Sequence, residues 1–217
     1  MNERWLEELL RINDEEIKLS EKQAKILEAA IGIFSQKGYA ATSTSEIAKK
    51  AGVAEGTIFR HYKTKKDLLL AIVTPTLTKV VAPFLTKDFV KKVFENEYGS
   101  YEEFVYALME NRYEFVKKHL PIIKIFLQEL AFHDEIKSQI QVIFTENVLE
   151  KFKRIVEHFQ ENGEIADVPS GTVIRMTMTT VIGFLLARFM IMTDADWDDH
   201  KEMNATIYLL MNGLAAK

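Results

Sequence analysis

The residues best suited to chemistry lie close together between positions 55 and 66. Arg60 can donate to a guanine edge or to a phosphate, and Thr57 can bond a phosphate or a base edge. Gly56 has no side chain and lets the backbone come close to a phosphate. Lysines at positions 63, 65 and 66 add positive charge where a helix N-terminus and an ammonium can share one phosphate. These residue types predict contact with double-stranded DNA.

A helix-turn-helix is the element that would position them. The segment Lys22–Gln36 is amphipathic, and a short helix is expected to follow it from Ser43. Ser43 and Glu46 have the spacing of a capping box, in which the serine accepts the third backbone N–H and the glutamate reaches back. Gly52 then provides a tight turn into a second short helix, and Ala48 is small where the two helices cross. The alternative is a three-helix core whose charged face is merely solvated.

Charge is distributed unevenly along the 217 residues, whose net charge is −4. Residues 20–70 contain nine basic and five acidic side chains, whereas residues 1–19 contain three basic and six acidic ones. The remainder, 71–217, contains sixteen basic and twenty-one acidic side chains. A basic module inside an acidic protein indicates an anionic partner for that module.

Composition and motifs argue against an enzyme. Cysteine is absent, and no phosphate-binding glycine loop, nucleophile elbow or zinc-protease motif occurs. The five histidines are scattered, so we expect no metal and no cofactor. Asp194, Asp196 and Asp198 imitate the start of a calcium loop, but Asp199 and Ala205 stand where that loop requires glycine and glutamate. An acidic helix start explains these aspartates better.

A cytoplasmic location is expected because the chain shows no signal peptide and no membrane span. Its most apolar stretch, Thr172–Thr193, is interrupted by Arg175 and Arg188. Only twelve residues lie between these arginines, and a spanning helix needs roughly 20. This stretch is predicted to be a buried helix.

The stretch from Ala24 to Leu70 resembles the N-terminal domain of the TetR/AcrR repressors. It contains F-x-x-x-G-Y, then T-S-x-x-x-I-A-x-x-A-G-V, and finally G-T-I-F-x-H-Y-x-x-K-x-x-L. The resemblance implies a DNA-binding role for residues of the short helices and the lysine that follows: Thr42, Ser43, Thr44, Ser45, Glu55, Gly56, Thr57, Phe59, Arg60, His61 and Lys65. Lys65 is expected on a phosphate. Two positions depart from the family pattern, since Ala54 stands where a serine cap is common and Phe59 where a tyrosine is common.

The predicted fold class is all-α, with an N-terminal three-helix helix-turn-helix DNA-binding domain followed by a helical ligand-binding and dimerisation domain. The predicted divisions are an N-terminal helical extension at 1–20, the DNA-binding domain at 21–68 and the effector and dimerisation domain at 69–217. Later helices are expected near 68–85, 101–118, 121–132, 135–161, 172–192 and 196–214. The last two helices offer apolar seams for a homodimer, with interface residues Gly183, Ala187, Ile207, Leu210, Met211 and Leu214.

Methionines and aromatics in the second domain suit a small lipophilic effector. The candidate ligand-binding residues are Phe104, Met109, Arg112, Phe126, Met176 and Met178. Core filling is the plainer interpretation for any single methionine, and pairing with an acidic neighbour is the plainer one for Arg112 and Arg175. The predicted function is a ligand-responsive transcriptional regulator, most often a repressor by resemblance, that binds palindromic operator DNA as a dimer. The alternative is a helical interaction module without a DNA-regulated role.

Overall fold

The computed structural model describes residues 20–75, 89–130 and 134–213, and these residues are helical with no strand among them. The helices that it describes are α1 Glu21–Lys37, α2 Thr44–Ala51, α3 Glu55–His61, α4 Lys65–Pro75, α5 Tyr101–Leu130, α6 Asp134–Phe144, α7 Glu150–Glu161, α8 Ser170–Leu186 and α9 Asp199–Asn212. Five-residue π-helical segments lie at Val90–Phe94, Thr145–Leu149 and Ala187–Ile191. The all-α prediction is confirmed for these residues. The extension expected at 1–20 lies outside them, except for Ser20.

The chain divides into two compact units. The first comprises residues 1–83 and 119–141, and the second comprises residues 84–118 and 142–217. Helix α5 contributes to both, because it bends at His119, whose φ of −113° and ψ of 21° are not helical. Pro121 follows two residues later and cannot donate a helical hydrogen bond. The bend falls between the two helices that the sequence predicted at 101–118 and 121–132. The structure also groups residues 119–141 with the first unit.

The first unit is built around the inner face of α1. Phe34 and Ile26 are fully buried, and they pack in one cluster with Ile47 of α2 and Ile58 of α3. Burial of each such side chain contributes about 1.5–3 kcal/mol. Ile122 of α5 belongs to the same cluster. This core holds α2 and α3 against α1 and leaves their polar faces outside.

The second unit has its own aromatic core. Phe104 of α5 lies 5.2 Å from Phe152 of α7 and 5.6 Å from Phe94, measured between ring centroids. Phe184 of α8 stacks on Trp197 at 5.8 Å with nearly parallel rings. These edge-to-face and stacked contacts are favourable arrangements for aromatic side chains. They fix α5, α7, α8 and the segment before α9 in one packed body.

Candidate nucleic-acid interface

Helix α2 begins at the serine that the sequence pattern indicated. Ser43 has the extended backbone of an N-cap, and its hydroxyl accepts a hydrogen bond from the Glu46 N–H at 3.2 Å. The other half of the expected capping box was wrong, because the Glu46 carboxylate binds Lys37 Nζ at 2.5 Å. The hydrogen bond from Lys37 lowers the pKa of Glu46. A charged partner on α1 therefore outweighs the return bond to the cap.

The starts of α2 and α3 are tied together. The Thr44 hydroxyl donates to Glu55 Oε1 at 2.5 Å, although eleven residues separate them. Both side chains were expected at DNA, and the structure brings them to the same edge of the first unit. Thr44 is half-buried and Glu55 is exposed.

The turn between these helices depends on Gly52. This glycine has a φ of +67° and a ψ of 32°, a left-handed conformation that costs glycine little and other residues more. The Val53 N–H then donates to the Ala48 carbonyl at 3.0 Å. Ala54 occupies the N-cap of α3 and makes no side-chain cap, as its residue type requires. The predicted helix-turn-helix is thus present in the structure.

The outer face of α3 is polar and open. Gly56, Arg60 and His61 are exposed, and Thr57 is half-buried. A Cβ added at Gly56 would meet no atom within 4 Å, so packing within this chain does not require glycine there. Phe59 is 45% exposed, so this outer face also carries one large apolar side chain. This face can receive an extended anionic partner.

Thr42 is buried and hydrogen-bonded within the first unit. Its side chain is only 3% exposed, and its hydroxyl donates to the Gly38 carbonyl at 2.7 Å. The resemblance to the TetR/AcrR repressors implied a DNA-binding role for Thr42. In the structure the Thr42 side chain faces the loop that joins α1 to α2, while Ser43 and Ser45 are exposed.

Lys65 also has partners inside the chain. Its Nζ donates to the Tyr39 carbonyl at 2.7 Å and to the Thr42 carbonyl at 2.8 Å. The same atom lies 4.1 Å from the centre of the Tyr39 ring. Lys63, by contrast, is exposed. The ammonium expected on a phosphate is therefore engaged with backbone oxygens.

The sequence interpretation missed the cap of α4. The Thr64 hydroxyl accepts from the Asp67 N–H at 3.0 Å, and Asp67 Oδ2 accepts from the Thr64 N–H at 3.0 Å. The spacing T-x-x-D was a sufficient signal, because a short acidic side chain can close a capping box. This reciprocal cap fixes where α4 begins and hence where Lys65 stands.

The candidate ligand residues lie in different environments within the described part of the chain. Phe104 and Met109 are fully buried in the core of the second unit, whereas Phe126 packs against the core of the first. Met178 is half-buried, and Met176 is exposed on α8. Core filling, the plainer interpretation, describes Phe104 and Met109 well.

Arg112 lies against aromatic rings in the second unit. Its guanidinium carbon is 3.8 Å from the centre of the Phe89 ring and 5.0 Å from that of Phe115. Its Nε also donates to Asn111 Oδ1 at 3.2 Å. Burial lowers the pKa of Arg112 to about 9. A cation stacked on rings is stabilised by their negative faces, which supports its partial burial.

An apolar cleft of about 300 Å³ opens beside α8 in the second unit. Met176 and Thr177 line it from α8, and Leu210 and Met211 line it from α9. Tyr101 closes its inner side, with a pKa that burial raises to about 12. Of the candidate ligand residues, Met176 is the one that lines this cleft.

The predicted dimer residues fall into different environments. Gly183 is exposed, Ala187, Leu210 and Met211 are half-buried, and Ile207 is 1% exposed in the core of its own unit. Leu214 lies outside the described residues. The sequence interpretation missed the apolar side chains that are most exposed on α8 and α9: Met176, Ile182, Tyr208 and Leu209. Hydrophobicity alone does not indicate which apolar face of a helix lies outside.

Helix α8 is therefore buried on one face and exposed on another, whereas the sequence predicted a buried helix. Its inner face consists of Ile174, Thr177, Val181 and Phe184. With its π-helical extension it is long and apolar enough to cross a membrane by length and composition alone. Its outer face carries Thr179, whose hydroxyl donates to the Arg175 carbonyl at 2.9 Å.

At the start of α9, the aspartates serve the helix. Asp198 is the N-cap and accepts from the Lys201 N–H at 3.1 Å. This agrees with an acidic helix start rather than a calcium loop. Among residues 20–75, 89–130 and 134–213, no group of three or more acidic or histidine side chains is arranged to hold a metal ion.

Comparison with known proteins shows which protein family the helix-turn-helix segment matches. Residues 26–72 match the family described as bacterial regulatory proteins, tetR family. The uncharacterized HTH-type transcriptional regulator YvkB of Bacillus subtilis (strain 168) is 50% identical over 50 residues, 23% of this chain and 26% of that protein. The chain spans about a quarter of the length of such relatives. The regulator YhgD of the same organism is 27% identical over 180 residues, 82% of this chain and 85% of that protein.

Two solved structures share the fold over nearly the whole chain. FadR from Bacillus subtilis in complex with stearoyl-CoA has a TM-score of 0.62 at 21% identity, covering 88% of this chain and 98% of that one. AibR in complex with isovaleryl coenzyme A and operator DNA has a TM-score of 0.61 at 17% identity, covering 88% and 98% respectively. At these identities the likeness concerns the fold.

Proposed function

Because this chain belongs to the TetR family of bacterial regulatory proteins, we propose that it is a cytoplasmic transcriptional repressor that binds a palindromic operator as a homodimer. A small lipophilic effector in the second unit releases the DNA. The observation that carries the proposal is the exposed polar face of α3, with Gly56, Thr57 and Arg60, set by the Gly52 turn beside the capped start of α2.

Electrostatics support DNA as the partner of that face. Lys49 and Lys50 end α2, Arg60 and His61 end α3, and Lys63 follows, and all five side chains are exposed. The lysine and arginine cations among them can contact phosphates without regard to sequence, and such contacts make affinity depend on salt. Thr57 and Arg60 supply groups that can read base edges.

The outer faces of α8 and α9 support a second copy of the chain as the dimer partner. Ile182 and Tyr208 are large apolar side chains exposed by 45% and 60% respectively. Gly183 adjoins Ile182. A Cβ added at Gly183 would meet nothing within 4 Å, so another helix can approach closely at this position. A two-fold dimer would present two α3 helices to half-sites about 34 Å, or one DNA turn, apart.

Acyl-CoA is the effector class that we would test first. The structures of FadR and AibR hold stearoyl-CoA and isovaleryl coenzyme A. In this chain the cleft beside α8 offers thioether and aliphatic surface from Met176, Leu210 and Met211. Flexible methionine side chains adapt to ligands of varied shape. Binding there would act on the helices that we assign to the dimer.

Binding to DNA upstream of the chain's own gene tests the proposal. Affinity is measured by fluorescence anisotropy between 50 and 200 mM salt. A dimer that contacts 6–10 phosphates should lose about a thousandfold or more in affinity over this range. Absence of salt-dependent binding would favour a helical interaction module instead.

The effector is tested on the preformed complex with DNA. Acyl-CoAs of increasing chain length are titrated, and free CoA serves as the control for the nucleotide portion. We expect release that strengthens with chain length, because each buried CH₂ contributes about 0.8 kcal/mol. Equal release by free CoA, or none by any acyl-CoA, would contradict this effector class.

A further inference from the structure

Two buried hydroxyl groups meet at the inner side of the cleft beside α8. The Tyr101 hydroxyl, at the start of α5, lies 2.7 Å from the Thr177 hydroxyl of α8, although 76 residues separate them. The two residues are 2% and 1% exposed, and both line the cleft. Met176, Leu210 and Met211 line it with thioether and aliphatic groups. The hydroxyl pair of Tyr101 and Thr177 is thus a polar spot in a largely apolar site.

The hydroxyl pair has one proton more than its mutual hydrogen bond uses. Each hydroxyl carries one O–H donor and two acceptor lone pairs, and one proton serves the bond between them. Within the residues that the structure describes, neither hydroxyl makes a second hydrogen bond. Thr179 and Thr180, also on α8, instead donate to carbonyls of their own helix. Because a buried O–H without an acceptor is costly, the pair is suited to an acceptor that a ligand supplies.

Tyr101 is held in place through its backbone and its ring. The Tyr101 N–H donates to Glu164 Oε1 at 2.6 Å, which satisfies a backbone donor at the start of α5. The Tyr101 ring lies 5.6 Å from the Phe104 ring and 6.0 Å from the Phe159 ring, measured between centroids. Burial raises the pKa of Tyr101 to about 12, so the phenol keeps its proton at neutral pH. The pair therefore offers a donor at a fixed position.

Charge at the cleft disfavours an anionic head group. Among the described residues that line the cleft, Glu164 is the one with a charged side chain. A ligand carboxylate beside the hydroxyl pair would meet this negative charge and no lysine or arginine from the lining. A neutral carbonyl oxygen offers acceptor lone pairs without charge. The cleft volume of about 300 Å³ is at the lower end of the range for ligand sites, so it suits an acyl chain with its carbonyl.

We propose that the hydroxyl pair of Tyr101 and Thr177 is the polar anchor of the effector site, and that it donates a hydrogen bond to the carbonyl oxygen of a neutral acyl group, a thioester or an ester. This inference rests on the proposed function, because it concerns the cleft to which we assign the effector. The aliphatic chain then lies along Met176, Leu210 and Met211, and the thiol or alcohol portion leaves through the opening of the cleft. Recognition depends on one oxygen atom of the ligand.

Matched ligands that differ only at the carbonyl test this anchor. Affinity for the DNA-free protein is measured by calorimetry with octanoyl-CoA and with S-octyl-CoA, in which a CH₂ replaces the carbonyl. Methyl octanoate and methyl octyl ether form a second pair without the nucleotide. We expect the carbonyl compound to bind about threefold to tenfold more tightly than its partner in at least one pair. Equal affinities within both pairs, or no binding of any of the four, would overturn the proposal.

The two pairs also separate this inference from the proposed effector class. Carbonyl-dependent binding of octanoyl-CoA supports both. Carbonyl-dependent binding of methyl octanoate without binding of octanoyl-CoA supports the anchor and contradicts acyl-CoA as the effector. Neither measurement requires DNA, so loss of operator binding would leave the test of the anchor intact.

Variants of the pair assign the preference to its residues. Tyr101→Phe combined with Thr177→Val removes both hydroxyls and keeps the shapes of the side chains, so the core remains filled. The double variant should bind the carbonyl compound and its partner with equal affinity. Thr172→Val removes a hydroxyl that lines the same cleft outside the pair, and it should keep the wild-type preference. Retention of the preference in the double variant, or its loss in Thr172→Val, would overturn the proposal.

Charge selection is tested with octanoate, the anion of the same chain length. It should bind about fivefold or more weakly than methyl octanoate, the effect of a like charge about 4 Å away in water. Glu164→Gln removes the charge and keeps an acceptor for the Tyr101 N–H, so it should narrow this difference. Octanoate that binds wild type as tightly as methyl octanoate would overturn the assignment of a neutral acyl group.

A measurement on wild type applies if the double variant does not fold. The bound ligand is isotopically labelled at its carbonyl carbon, and the carbonyl stretching frequency is measured by infrared difference spectroscopy. A hydrogen bond from the pair should lower this frequency relative to that of the corresponding methyl ester or methyl thioester in hydrocarbon solvent. A frequency equal to the value in hydrocarbon would overturn the proposal.

Discussion

Arg188 Nε lies 2.5 Å from Asp199 Oδ1, so a guanidinium at the π-helical end of α8 holds the first carboxylate of α9. Trp197 Nε1 donates to the same oxygen at 2.9 Å, and the Tyr113 hydroxyl of α5 donates to Oδ2 at 2.5 Å. One aspartate therefore joins three segments of the second unit. Arg188 follows α8 and Asp199 begins α9, the two helices to which we assign dimerisation, so we expect this ion pair to help present that surface.

Replacing this carboxylate should lower stability in a pH-dependent way. Partial burial would raise the pKa of Asp199, but hydrogen bonds from Arg188, Tyr113 and Trp197 outweigh it and hold the pKa below 3.8. The contribution of this carboxylate to the free energy of unfolding is thus present above pH 3.8, and it is lost as pH falls through the folded-state pKa. We expect Asp199→Asn to cost about 1–3 kcal/mol at pH 7 by urea unfolding. The exposed Asp194→Asn is the control, and an undiminished difference below the folded-state pKa would contradict the assignment.

Gly56→Ala should change stability and affinity in opposite directions. A Cβ at position 56 meets nothing within 4 Å in the free chain, and alanine favours the helix, so we expect a gain of about 0.5 kcal/mol. At DNA the methyl group would obstruct close approach of the backbone, and operator affinity should fall about tenfold or more. Gly171→Ala is the matched control, because Gly171 is also an open glycine at the second position of a helix. Unchanged affinity in Gly56→Ala would argue against α3 as the recognition helix.

Ala54→Ser should stabilise the first unit. Ala54 already has the extended N-cap backbone, with φ of −71° and ψ of 144°, and lacks only the side-chain acceptor. A serine hydroxyl can accept from the Thr57 N–H, which should contribute about 1 kcal/mol to the free energy of unfolding. Thermal unfolding checks this, with Ala41→Ser in the exposed loop as the control. No gain would mean that α3 requires no further cap.

Gly183→Leu should produce a folded monomer. The position is exposed on α8, and space around it is open in the single chain, so the larger side chain is accommodated. At a helix–helix contact between copies the same side chain would force the backbones apart. Light scattering should give a monomer mass with helical content retained, and operator affinity should fall with dimerisation. Gly171→Leu, twelve residues earlier on the same helix, is the control, and a dimer in both variants would place the interface elsewhere.

Local signals predicted the first unit well where a single residue decides the backbone. Ser43 caps α2 and Gly52 turns the chain, because the hydroxyl and the missing Cβ act within a few residues. The partners of Glu46 and Lys65 could not be predicted from spacing. Glu46 binds Lys37, nine residues away, and Lys65 binds carbonyls more than twenty residues away. Such contacts depend on how the helices pack, which the local pattern does not determine.

In the second unit, residue type predicted burial better than it predicted role. Phe104 and Met109 are core residues, as their hydrophobicity alone would indicate. On α9 the exposed Tyr208 and the buried Ile207 are adjacent and both apolar. When a helix is apolar on two faces, the sequence does not indicate which face packs in the core of its own unit and which face contacts a partner subunit. The location of an effector is likewise not encoded in spacing.

Selection from a random pool of double-stranded DNA tests the central claim most directly. The purified chain is carried through repeated rounds of binding at physiological salt, and the enriched sequences are read. A dimeric regulator with α3 as its recognition helix should enrich a palindrome whose half-site centres lie about one helical turn, or a multiple of it, apart. Recovery of a pool with no enriched sequence would contradict sequence-specific regulation by this protein.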